Sequence, residues 1–454
     1  MKDLSMRSYE SRYRDLTPRS SALDERARGL LPGGISHNLR RFDPYPLYAA
    51  RAEGARVLDP DGNSYLDLWM GHYALVFGHA FPPVRRAVEQ VLAGGWHFGM
   101  PVEAEVVLAE RLRRAVPAME KMRFCTSGTE ATMYAVRLAR GFTRKPWVLK
   151  AAGGWHGAST DLSFAVKPPF RGAEGPGLLP PREQGVDLIA FNDVEATERV
   201  VEAHRGGIAG IIVEPMLGSG GFLPADPAYL RYLREVCDRE GAVLIFDEII
   251  TGFRFRYGTL ADAYGVRPDL TTLGKIVGGG FPLGVYGGRR EVMDAADPLQ
   301  AKAPDRPVLV GGGTFSCHPV TLAAALATLE ALEASRAELY PALEARGERL
   351  RRGVEERFAA AGVPAACTGR ASLFMTHLLR GGDRDLRTPA DLAAKTFSAA
   401  KDRELRLALL AHGVFAVHGG GALSAAHGEP ELQVLLEAYA RAAEDLAREG
   451  FEQG

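Results

Sequence analysis

The chain has 454 residues, 46% hydrophobic and 24% charged, which excludes intrinsic disorder and asks for more than one domain, since single cores stop growing near about 250–300 residues. Lys plus Arg number 55 against 56 for Asp plus Glu, so no global field attracts nucleic acid or an anionic membrane, and small-molecule chemistry is the class left. Cys125, Cys237, Cys317 and Cys367 stand apart without a CxxC pair, which argues against a disulfide framework or a zinc site and for cytoplasmic thiols. The leading MKDLSMRSYESRYRDL lacks an apolar signal core, and no stretch reaches the roughly 18 apolar residues of a membrane helix, so a soluble cytoplasmic protein is expected.

Residues 1–70 open with a polar helical lead and a Gly/Pro turn at Leu31–Gly34, followed by ARVLDPDG and NSYLDL, which read as a hairpin around Asp61-Gly62. MRFC (122–125) predicts a strand before a helix from about 129. Extended residues at 147–150, LIAF (188–191), GIIVEP (210–215) and AVLIFDE (242–248) continue the strand–helix rhythm, and such short continuous apolar runs suit parallel strands buried on both faces. A helix over 227–240 is punctuated by Asp226 as N-cap, Pro227 in the first turn and Gly241 after the end. From 319 the Ala/Leu/Glu/Arg text is mostly helical. The expected organisation is an N-terminal segment, 1–70, that joins a small domain; a large α/β domain, 71–318; and a C-terminal small domain, 319–454.

Four sites in the α/β region carry chemistry. Lys275 lies in TTLGKIVGGG, where Gly274 and Gly278–Gly280 leave room around an ammonium; by itself it also reads as a surface lysine beside a loop. Asp247 ends the run AVLIF, at the carboxyl end of a parallel strand where open α/β sheets place ligands; a lone acid there more commonly caps a turn. Ser127-Gly128-Thr129 follows a strand and opens a helix, so N–H groups and the helix dipole converge where a phosphate could bind, although a Ser/Thr cap explains the same text. Trp155, in the loop GWHG with His156, offers a flat face for stacking, and a core tryptophan is the plain alternative. A lysine, a carboxylate, an aromatic plate and a phosphate cup are the needs of a pyridoxal-phosphate (PLP) site. The weight lies in the ordered set.

These motifs resemble those of the class III PLP-dependent aminotransferases of fold type I. The matching text is SGTEATMYAVRLARGFT (127–143), GGWHG (153–157), VEP (213–215), LIFDEIITGFR (244–254), PDLTTLGKIVGGGFPLG (268–284) and GGTFSCHP (312–319), and the likeness runs from the LPGG turn at 31 to LSAAH near 427. The resemblance implies an α/β fold: a large domain with a mainly parallel seven-stranded sheet, and a smaller α+β domain from the N- and C-terminal segments. It implies that Lys275 is the Schiff-base lysine, Asp247 the partner of the pyridine nitrogen, Trp155 the stacking residue, and Ser127, Gly128 and Thr129 the phosphate cup. His156 packs behind the ring; Asn192 and Glu214 give supporting hydrogen bonds; Thr314 reaches the phosphate from a neighbouring subunit, so a homodimer with shared active sites follows. Arg40 matches a substrate-carboxylate clamp, with Arg41 as competitor, and His72 and Tyr73 line a side-chain pocket or serve the structure.

The activity so implied is ping-pong transamination between a keto acid and a carboxylate-bearing amino acid, aromatic or bulky, α or β, as in D-phenylglycine and β-amino acid aminotransferases. The alternative is glutamate-1-semialdehyde 2,1-aminomutase. In that enzyme a glutamate precedes the LSAAH-like motif, where this chain places Gly419, and Gly419, Gly420 and Gly421 are expected to open the site for a bulkier side chain. A nicotinamide oxidoreductase is disfavoured because no G-x-G-x-x-G follows a strand.

Overall fold

Three sheets organise residues 6–300 and 306–451, which the computed structural model describes. Strands β1 (Arg51–Glu53), β2 (Arg56–Leu58) and β3 (Ser64–Asp67) form an antiparallel meander. The expected hairpin is its β2–β3 turn, which brings Leu58 opposite Ser64. Asp59 fastens that turn, accepting from the backbone N–H of Asp61 at 3.0 Å and of Asn63 at 2.8 Å.

The central sheet holds β4 (Lys121–Cys125), β5 (Trp147–Ala151), β6 (Val186–Ile189), β7 (Ile208–Val213), β8 (Val243–Asp247), β9 (Leu270–Gly274) and β10 (Gly284–Gly288), in the order β4-β10-β9-β8-β7-β5-β6. Only β10 runs against its neighbours, so the seven-stranded, mainly parallel sheet is present. Ile211, Val213, Leu244 and Phe246 pack into the core on one face; Ile212, Val243 and Ile245 pack into the core on the other. Helix Pro227–Glu240 supplies Leu230, Leu233 and Val236 to the first face, and helix Gly128–Thr143 supplies Ala131, Ala135 and Leu138 to the second. Each fully buried Ile, Leu or Phe contributes about 1.5–3 kcal/mol. Continuous apolar text, rather than alternation, follows from having both faces covered. The punctuation of helix Pro227–Glu240 is as read: Asp226 accepts from Ala228 N at 2.8 Å, and Gly241 closes the helix at φ 58°.

A helix of 42 residues, Pro319–Ala360, leads to β11 (Ala365–Thr368), β12 (Leu373–Leu378), β13 (Val414–Phe415) and β14 (Gly420–Ala422). Strands β11, β12 and β14 make an antiparallel sheet, whereas β13 pairs in parallel with β3, Val414 opposite Leu66. The glycine run here corrects the sequence-based expectation, because it opens nothing. A Cβ on Gly419 would stand 2.7 Å from Thr376 O, one on Gly420 2.2 Å from Phe374 O and one on Gly421 1.9 Å from Leu68 O. These glycines let β14 press against β12 and the Leu68 backbone. Among the described residues, no helix is long and apolar enough to cross a membrane.

Candidate active site

The carboxyl ends of the parallel strands converge on one cleft. Thr126 and Ser127 follow β4, Trp155 follows β5, Glu214 follows β7, Asp247 ends β8 and Lys275 follows β9. Parallel pairing sets Asp247 beside Thr272, whose Oγ1 donates to Asp247 Oδ1 at 2.9 Å. Ile249 N donates to the same oxygen at 3.1 Å, and His156 Nδ1 lies 2.8 Å from Oδ2. His156 is in turn held by its carbonyl, which accepts from Thr132 Oγ1 at 2.5 Å. Burial pushes the imidazole below its usual range, against the pull of Asp247. A neutral ring with its proton on Nδ1 therefore fixes the carboxylate, and Nε2 stays buried without a partner among the described residues.

Lys275 sits at φ 43° in the turn after β9, a left-handed backbone that non-glycine residues take where surrounding structure enforces it. Its amine makes no hydrogen bond within the described residues. Burial holds that amine below the ordinary lysine range, opposed by the charges of Asp247 and Glu214. Glu214 accepts from Trp155 N at 2.9 Å and from Gly218 N at 3.0 Å, which pins the indole-bearing loop. Burial first, then the Asp247 charge, pushes its carboxyl up to about 8.

At the start of helix Gly128–Thr143, Ser127 Oγ accepts from Glu130 N at 3.2 Å, so its hydroxyl is the helix cap. The backbone N–H groups of Gly128 and Thr129 have no acceptor among the described residues and lie at the positive end of the helix dipole. Gly157, at φ 87°, rides directly over Thr129; a Cβ there would meet Thr129 Cα at 2.6 Å. Two free amides, a fixed carboxylate and a deep, unpartnered amine fit the phosphate, ring nitrogen and aldehyde of PLP.

The remaining expected residues fall into different places. Asn192 is committed elsewhere, donating to Pro224 O at 3.0 Å and Arg387 O at 3.1 Å and accepting from Asp226 N at 2.8 Å. It ties the end of β6 to Pro224 and to the C-terminal segment at Arg387. Tyr73 is buried edge-on against Trp69 and Phe222, with centroids 4.8 and 5.3 Å away. It belongs to the core cluster of Trp69 and Phe222, with the charges of Asp402 and Arg406 acting on its hydroxyl. His72 lies between His37, at 5.1 Å, and Trp69, at 4.4 Å; burial, with the charges of His37, Arg40 and Lys275, pushes its pKa down to about 4. Arg41 is bound to the buried Asp24 at 2.9 Å, while exposed Arg40 has no side-chain partner among the described residues. Thr314 is exposed beside His97, Phe98 and Arg123.

Sequence reasoning missed Thr272, Thr132 and Lys150. Lys150 Nζ, buried in β5, donates to Phe164 O at 2.6 Å and braces the loop that carries Trp155; burial pushes it down to about 7. Only the strand register exposes Thr272, and a lysine in an apolar strand is the one signal Lys150 gave.

Residues 39–376 match the family Aminotransferase class-III. The chain is 41% identical over 403 residues to a glutamate-1-semialdehyde 2,1-aminomutase of Acidobacterium capsulatum, covering 87% of this chain and 91% of that one. Among solved structures it resembles an omega-transaminase from Sphaerobacter thermophilus, at TM-score 0.87 and 39% identity over 96% of this chain and 99% of that one. It also resembles a beta-phenylalanine aminotransferase from Variovorax paradoxus, at TM-score 0.84 and 32% identity over 95% and 96%. The cofactor of this fold and family is pyridoxal phosphate. With Lys275, Asp247 and the helix amides gathered at the sheet's carboxyl edge, the chain belongs to the class III aminotransferases.

Proposed function

We propose that the chain moves an amino group between a carboxylate-bearing amino acid, aromatic or otherwise bulky, and a keto acid, releasing the first product before the second substrate binds. PLP, when bound, supplies an aldehyde that takes up amines and a protonated ring that withdraws electrons. In this reading Asp247, held by Thr272, Ile249 N and His156, keeps the proton on the ring nitrogen. Gly128 and Thr129 hold the phosphate through their N–H groups. Lys275, its amine held below the ordinary lysine range by burial, gives up its proton more readily than a solvated lysine, so it can attack a carbonyl and carry a proton to and from the substrate carbon. Arg40 takes the substrate carboxylate, since Arg41 is occupied by Asp24. Thr314, exposed in this chain, supports a phosphate contact made to a second copy, and with it a homodimer with shared sites.

The observation that carries the substrate class is a cavity of about 420 Å³ beside Trp155, walled by Leu39, Val166, Phe170 and Leu392, which suits a bulky side chain. A second reading, transfer within glutamate-1-semialdehyde, is favoured by the names of the curated relatives, glutamate-1-semialdehyde 2,1-aminomutases 37–41% identical to the chain. Against it stands Gly419, where the expected carboxylate has no room for even a Cβ. The test supplies the semialdehyde alone and, separately, an aromatic amino acid with a keto acid, and follows products by chromatography. Transfer between separate molecules is expected. Efficient formation of 5-aminolevulinate without such transfer would establish the second reading.

A further inference from the structure

The helical stretch after Phe397 loosens into a π-helical turn at Lys401–Leu405, a geometry concentrated at functional sites. It sets Lys401 and Asp402 in the wall of the cavity beside Trp155, and Arg406 follows one turn on. Lys401 is only 8% exposed, yet its ammonium has just Met375 Sδ at 3.4 Å and Asp402 Oδ1 at 3.8 Å. Among the described residues, no oxygen lies within 3.5 Å of it. Arg406 is 4% exposed, rests its guanidinium 5.0 Å from the Phe42 ring centre and leaves Nε without a partner. Among the described residues, Asp402 is the acid that acts on both cations, and it is shared with His418 Nδ1 at 2.9 Å. Glu404, next along, is taken by Tyr9 and Arg7 on the opposite side and by Arg403. Two buried cations against one carboxylate leave positive charge uncompensated, which is costly away from water until an anion completes the set. The other formally charged lining residues, Lys167 and Glu174, are opposite in sign and adjacent, Glu174 accepting from Lys167 N at 3.2 Å. Gly419 keeps the lysine where it is, because a Cβ there would come within 3.0 Å of Lys401 Cγ.

We infer that Lys401 anchors an anion subsite in the C-terminal wall of the active-site cavity, and that this subsite selects dicarboxylic keto acids as amino acceptors by binding their second carboxylate. The inference rests on the intermolecular reading above. Burial, only partly offset by Asp402, holds the Lys401 ammonium below its ordinary range, and an incoming carboxylate supplies the acceptor and the charge it lacks. His377, neutral through burial and bonded to Thr368 Oγ1 at 2.8 Å, adds no competing charge.

Glutarate and valerate, unreactive five-carbon acids that differ by one carboxylate, test this by calorimetric titration of the holoenzyme. Glutarate is expected to bind roughly 10- to 100-fold tighter, the scale of one hydrogen-bonded charge pair. Lys401→Met should bring that ratio close to one, Lys401→Gln should behave alike, and Lys401→Arg should keep most of it. Equal binding of the two acids by the unmodified enzyme, or a glutarate preference that survives both neutral substitutions, overturns the subsite. The ratio of kcat/KM for 2-oxoglutarate over pyruvate should fall in step. Failure of the intermolecular reading is separately visible as absence of transfer to any keto acid while the Lys401-dependent glutarate preference persists.

Discussion

Lys275 and Asp247 were legible only within the ordered set of motifs, since alone the first also reads as a surface lysine beside a glycine-rich turn and the second as a strand-end acid capping a turn. Thr272 was not, since nothing local marks it; the parallel register alone puts it beside Asp247. Reduction of the holoenzyme with borohydride should attach the cofactor to Lys275, and Lys275→Ala should abolish the covalent product; a labelled peptide from any other lysine, found by mass spectrometry, refutes the assignment. Arg40→Ala should weaken amino acid binding by about 1.5–3 kcal/mol, roughly 10- to 100-fold, and affect simple amines far less. Equal losses for both would move the clamp elsewhere. Glu214 gives a pH prediction for the cofactor-free protein. Its folded pKa, about 8, lies above the ordinary 4.5, so the folded state holds the extra proton in between. The stabilisation is complete below about pH 4.5 and is lost as pH climbs toward 8. Glu214→Gln should flatten that segment of a urea-denaturation profile, and an unchanged slope would assign the pH dependence to another group.

Among elements, strands β4 to β8 and helix Pro227–Glu240 were readable because their signals are local: apolar runs between turns, and Asp226, Pro227 and Gly241 at the ends. Strands β11 and β12 were hidden in Ala/Leu/Arg-rich text, since LFMTHL is buried at every position and shows no period of two. The glycines of β14 were misread for a related reason. A glycine serves a cavity and a close backbone approach equally well, and only the positions of Phe374 O and Leu68 O decide between them. The start of helix Gly128–Thr143 separates two jobs that its sequence merges. Ser127→Ala removes a cap and should cost about 1 kcal/mol of stability by urea denaturation. Gly157→Ala drives a Cβ into the Thr129 backbone at an unfavourable φ, so its larger effect should appear in PLP affinity measured by cofactor absorbance. If Gly157→Ala binds PLP as the unmodified chain does, the loop is not part of the phosphate cup.

At the scale of the molecule, the two ends of the chain share one structure. Arg7 donates to Glu449 O at 3.0 Å, Ser8 N donates to the Glu449 carboxylate at 2.8 Å, and β3 finds its outer partner in β13. The turn bearing Lys401 depends on this closure, because its Glu404 accepts from the Tyr9 hydroxyl at 2.5 Å. The consequence reaches back to synthesis. A ribosome finishes β1–β3 long before it makes Val414 and Phe415, so β3 must wait with an unpaired edge while the whole seven-stranded sheet is made and can fold. The nascent chain thus carries its own assembly clock: the cavity beside Trp155 draws its walls from residues as far apart as Ser36 and His418, so it cannot close around a substrate until the stretch holding Lys401 and His418 has been made.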